Sequence, residues 1–161
     1  LGFIFFIYQL YLIFKTKVRK QKDIYYRYIV FSVINFIIAL VLVCFYFVLS
    51  NDYLLFISGF IFLLGFLTPI ITAHLYKIIP FLVWFHRFSS LVGKQKVPML
   101  ADMVPVKSSD FGFAFYLLGF ILSLIAFIFS SDILFKSAVS FLFVGTSFII
   151  KDVFYIINFK G

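Results

Sequence analysis

Glutamate is absent from this 161-residue chain, cysteine occurs once, histidine twice, and charged residues make up only 12% of it. A soluble domain carries about 25% charged and about 45–50% apolar residues. Here 65% are hydrophobic and 24% aromatic, so a water-soluble globule is excluded. The single Cys44, inside an apolar run, permits neither a disulfide nor a thiolate metal pair and reads as a small packing residue. There is no HExxH, no paired cysteine and no Gly-rich phosphate loop, which removes zinc hydrolase, iron–sulfur and P-loop chemistry. The six acids are all Asp and read as lying close to water, so a self-contained proton or cation carrier is not expected. No catalytic constellation and no metal cluster emerges.

What is present is a set of long apolar runs. A spanning helix needs about 20 apolar residues to cross the ~30 Å hydrocarbon core. Runs at 28–50, 54–77, 111–130 and 133–159 qualify. Segment 1–14 would reach only about 21 Å at helical rise, so it reads as a truncated span, and the chain as a fragment or processed product. The expected fold is therefore all-α: a polytopic integral membrane helical bundle of about five transmembrane helices, the first one truncated. Pro80 divides the run from Leu54 to Phe88, because proline removes an N–H and disfavours helix at the preceding residue. An interfacial helix, IIPFLVWFHRF, is accordingly expected after the third span. Connections fall at 15–27 and 78–110, and Ser109 or Asp110 offers an N-cap for the fourth span.

Of the 14 Lys and Arg, all but Lys136 sit at one set of ends and connections. Basic residues beside spans are retained on the cytoplasmic side, so those connections read as cytoplasmic. The N-terminal end of the chain then lies outside and the C-terminus in the cytoplasm, with a bacterial cytoplasmic membrane the expected location. The net charge of +8 is met by anionic lipid headgroups in this setting, not by nucleic acid.

Helices in lipid associate through close packing and a few hydrogen bonds, so interfaces show as stripes of small and polar residues. One face of the second span carries Ser32, Asn35, Ala39 and Tyr46; the third carries Ser58, Gly65, Thr68, Pro69, Thr72 and Tyr76; the fourth Gly112, Gly119, Ser123, Ala126 and Ser130. On the fifth, Lys136, Ser140, Ser147 and Lys151 fall within about 60° of one another, and Asp132 precedes Lys136 at the spacing of a helical ion pair. With Asn35 these form a candidate polar face, either a path or a partner surface, although Lys136 and Lys151 could also snorkel to opposite headgroup layers. His74, His86 and the adjacent Tyr76 are the candidate cofactor contacts, since membrane haem centres draw on neutral imidazole. His74 points away from the small-residue stripe of its own helix, toward another chain or a missing part of this one.

The stretch AHLYKIIPFLVWFHRFSSLVGKQKVPMLADM, with Leu75, Tyr76 and Pro80 in an aliphatic Leu-Tyr-x-x-x-Pro pattern, resembles a segment of distant relatives of haem-copper oxidase subunit I, the NnrS-like haem membrane proteins. It covers about 30 residues, and the family's His-x-His pair is not present. The resemblance implies a C-terminal portion of a longer bundle with its haem ligands upstream. Two functional readings follow. One is a membrane subunit, or the C-terminal part of one, in a larger haem- or quinone-linked respiratory-type complex, docking other subunits or a missing N-terminal part and belonging to an oxidoreductase. The other is a transporter or channel component using the polar face of the last helix.

Overall fold

The computed structural model describes residues 23–159 together with 2, 5, 8, 9 and 12. Span 1–14, apart from those few positions, and connection residues 15–22 lie outside the described residues. In chain order the elements are α1 (Ile24–Leu49), α2 (Asp52–Phe60), a π-helical segment (Ile61–Leu67), α3 (Thr68–Phe88), a 3₁₀ turn (Ser89–Leu91), α4 (Val106–Ile128) and α5 (Asp132–Ile157). With no water to solvate backbone groups in lipid, each span must close its own hydrogen bonds, which is why every element is helical. Among the described residues four helices are long and apolar enough to cross a membrane, the second being α2, the π segment and α3 as one rod. A lipid environment follows for an integral membrane bundle.

Pro80 does not end the third span: it lies buried inside α3, which continues to Phe88 without an interfacial break. A proline leaves one carbonyl without a donor, whereas ending the helix would orphan four. At 1.5 Å per residue the rod from Asp52 to Phe88 is about 55 Å long, well beyond the hydrocarbon core. Its end is held by Trp84, whose Nε1 donates to the Pro98 carbonyl at 2.9 Å, and by Arg87, which donates to the Phe159 carbonyl at 2.6 Å.

The expected cap of the fourth span is also corrected. α4 begins at Val106, directly after Pro105. Ser109 is buried and its hydroxyl donates to the Val106 carbonyl at 2.9 Å, while Asp110 pairs with Arg27 at 2.9 Å. Proline is favoured where a helix starts, so Pro105 and not the downstream polar pair sets the boundary. At the opposite end of the bundle, Ser50 and Ser130 take left-handed backbone conformations (φ 50° and 48°) to reverse the chain, and Asn51 Oδ1 then accepts from the Tyr53 N–H at 3.0 Å to start α2.

Small residues bring the helices together. A Cβ added to Gly119 would lie 2.7 Å from Leu142 N, and one on Gly145 2.7 Å from Tyr116 N, so α4 and α5 touch backbone to backbone. Gly65 admits Asn35 and Phe120 in the same way. The small-residue stripes of α1, the rod and α4 do face inward, except that Ser130 lies in the exposed turn and Tyr46 and Thr68 are half-buried. Between these contacts run two apolar clusters. One contains Ala39, Ile61 and Phe120; the other, toward the basic end, contains Tyr28, Ala73, Tyr76, Ile149 and Ile156.

Pro69 explains the π segment. The Thr68 N–H reaches back five residues to the Leu63 carbonyl, so the next carbonyl, Leu64, would need its donor from Pro69, which has no N–H. Tyr116 of α4 supplies it, its hydroxyl donating to the Leu64 carbonyl at 2.6 Å. A defect in one span is thereby converted into a hydrogen bond between spans.

Candidate functional site

Near the basic end of the bundle, three helices and the first turn of a fourth enclose one carboxyl group. Asp152 lies on α5 in line with Ala138 and Gly145 at seven-residue spacing, the register that turns these side chains inward. Its accessible surface is zero. The expectation that every aspartate stands near water is thus wrong for this residue. The Tyr76 hydroxyl, from α3, donates to Asp152 Oδ2 at 2.7 Å. Tyr28 of α1, fully buried, stacks on Tyr76 with ring centroids 6.1 Å apart and planes 19° from parallel, within electrostatic reach of the carboxyl. Ser108, in the first turn of α4, stands beside Asp152 without meeting hydrogen-bond geometry.

Three buried oxygens at this centre make no hydrogen bond among the described residues: the Tyr28 hydroxyl, Ser108 Oγ and Asp152 Oδ1. Leaving such groups unpaired costs about 1–3 kcal/mol each, and native structures keep few of them. Phe113 packs edge-on against Tyr28 at 4.9 Å, and Ala73, Ile149 and Ile156 line the same cluster. A layer of ions flanks it: Arg27 with Asp110, and Lys77 with Asp23 at 3.9 Å. Among the described residues no basic side chain forms an ion pair with the carboxyl; Lys151, next in sequence, acts on it only through space, being exposed and lying over the Phe148 ring at 5.6 Å.

The residues singled out from sequence are distributed differently. Tyr76 belongs to the Asp152 centre. His74 and His86 are exposed on α3 and stand about 18 Å apart along its axis, too far to share one ligand. Each ring is fixed by its own helix, Nδ1 of His74 to the Ile70 carbonyl at 2.7 Å and Nδ1 of His86 to the Leu82 carbonyl at 2.8 Å. A carbonyl can only accept, so Nδ1 carries the proton, and in the neutral ring the lone pair sits on Nε2. Tyr25 meets His74 edge-on at 6.0 Å.

Asn35 is buried between α1 and Gly65 and donates to the Phe31 carbonyl at 2.8 Å. Lys136, Ser140, Ser147 and Lys151 are all exposed, on the side of α5 turned away from Ala138, Gly145 and Asp152. The structure does not bring Asn35 together with them. Ser140 and Ser147 return their hydroxyls to the carbonyls of Lys136 and Phe143, and the Asp132–Lys136 pair is not among the ion pairs of the described residues. No group of three His, Cys, Asp or Glu capable of holding a metal occurs among those residues. Comparison with protein-family models, curated proteins and solved structures finds no match.

Proposed function

We propose that this chain is an integral membrane subunit, or the C-terminal part of one, of a larger respiratory-type assembly linked to haem or quinone, in which this portion docks and positions its partners. The carrying observation is His74: its Nδ1 is tied to a carbonyl and its Nε2 turns outward from the bundle. Imidazoles that ligate metal are oriented in this way, by a backbone acceptor on the other nitrogen. The residue therefore fits an axial ligand or a hydrogen-bond donor-acceptor for a group held between this chain and a neighbour. His86, similarly fixed, stands beside the exposed Phe81 and Phe85 on the projecting part of α3, a surface suited to a protein partner. Of the two histidines we assign His74 to the cofactor side, because it lies within the apolar part of the rod. The positive residues at the α1, α4 and α5 ends around Asp152 support a cytoplasmic orientation for that end, in a bacterial cytoplasmic membrane. A transport path along Lys136, Ser140, Ser147 and Lys151 would have to be completed by another chain, since all four face out of this bundle.

Affinity purification from native membranes in mild detergent tests the reading. It requires larger membrane subunits in the eluate and a reduced-minus-oxidised optical signal that is lost or shifted by His74→Ala. A chain that elutes alone, with a spectrum indifferent to that substitution, would refute it.

A further inference from the structure

We infer that the Asp152 centre is a binding site for one small monovalent cation, held by Asp152 Oδ1, Ser108 Oγ and the Tyr28 hydroxyl. This goes beyond the docking role above and does not depend on it. The inward-facing surface of the bundle is apolar almost everywhere else, and its other buried hydroxyls are satisfied: Ser32, Ser58, Thr72, Ser109 and Ser123 each donate to a backbone carbonyl. The orphaned oxygens are concentrated around a single carboxyl.

The ligand class follows from charge and donor type. Every unpaired atom is oxygen, which suits a hard cation. The sole acid of the centre carries one negative charge, and among the described residues no Lys, Arg or His pairs with it, Lys151 acting on it only through space, so a single positive charge is the one that fits between its unpaired oxygens. Divalent ions are selected by several carboxylates, and this centre has one. Neutral hydroxyls are indifferent to charge but supply ligands, and Tyr76, by donating to Oδ2, leaves Oδ1 as the unpaired oxygen of the carboxyl. Pro80 also breaks the backbone ladder of α3, since it offers no N–H to the carbonyl of Tyr76 four residues earlier. Intramembrane cation sites are built in this manner, from side-chain oxygens and helix carbonyls released by a break in the ladder. The atoms come from α1, α3, α4 and α5, so an ion here would tie all four spans together.

The test uses the full chain in detergent, with sodium as the probe. Unfolding midpoints are measured over a range of NaCl against choline chloride at constant ionic strength, and uptake of radioactive sodium is followed by equilibrium dialysis. Expected is a saturable, sodium-specific rise in midpoint, as linkage requires for a ligand of the folded state. Asp152→Asn abolishes it, while Tyr28→Phe and Ser108→Ala each raise the half-saturating concentration about tenfold, the worth of one lost ligand. The last two variants keep the test open should Asp152→Asn fail to fold. Equal responses to sodium and choline, or a sodium response unchanged in both Tyr28→Phe and Ser108→Ala, would overturn the site and leave the orphaned oxygens to water.

Discussion

Replacing Gly145 by alanine probes the seam that organises the bundle. The added Cβ would meet Tyr116 N at 2.7 Å, Tyr116 Cα at 3.0 Å and the Gly112 carbonyl at 3.1 Å, all backbone atoms with no rotamer to move to. Restoring an ordinary contact of 3.4 Å requires α4 and α5 to part by about 0.7 Å, a gap that forfeits roughly a quarter to a half of each dispersion contact along the seam. Overpacking of this kind costs about 1–3 kcal/mol. Against it stands the helix preference for alanine over glycine, about 1 kcal/mol. The net expectation is destabilisation by up to about 2 kcal/mol, or a fall of up to about 8 °C in the unfolding midpoint at about 2–4 °C per kcal/mol. Gly59 is the control, since a Cβ there meets nothing within 4 Å. Gly59→Ala keeps only the propensity gain and raises the midpoint by up to about 4 °C. Circular dichroism melts of both variants in one detergent make the comparison. Equal midpoints for the two, or a gain in Gly145→Ala, would refute the close approach.

Further outcomes are expected elsewhere. Tyr116→Phe removes the donor from the Leu64 carbonyl and should lower stability by about 1 kcal/mol in the same melts, the usual worth of an interhelical hydrogen bond in a membrane bundle. Arg27→Ala should change it by less than about 0.5 kcal/mol and that difference should vanish in high salt, because both partners are about two-fifths exposed (42% and 41%). Trp84→Phe frees the Pro98 carbonyl, so limited trypsin digestion should cut faster after the exposed Lys94 and Lys96 while the melting midpoint moves little.

The stripes of Ser, Gly and Ala were readable in the sequence because a close backbone approach tolerates few residue types. Ser32, Asn35, Gly65, Gly119 and Ser123 all lie inside as their helical spacing requires. Pro80 was not readable in the same way. A proline's local effect is to break a helix, and only the surroundings decide whether breaking it would orphan still more backbone; here α3 runs on. Asp152 shows the larger gap. The line of Lys136, Ser140, Ser147 and Lys151 marks the outer side of α5, about 150° from the side that is buried. A usable signal was the register of Ala138, Gly145 and Asp152, which carries the acid onto the small-residue face. Its partners Tyr28, Tyr76 and Ser108 come from three other helices, and no spacing within one helix can reveal them.

The most direct test of the whole account is the threading of the chain through the membrane. Single cysteines at Asp52→Cys and Gln95→Cys, with Cys44 replaced by alanine, would be exposed to an impermeant maleimide in intact cells and in inverted vesicles. Labelling of position 52 only from outside and of position 95 only from the cytoplasmic side is the predicted result. Labelling of both positions from the same side would contradict a rod that crosses the membrane between them, and the reversed pattern would contradict the proposed cytoplasmic placement of the basic, Asp152-containing end.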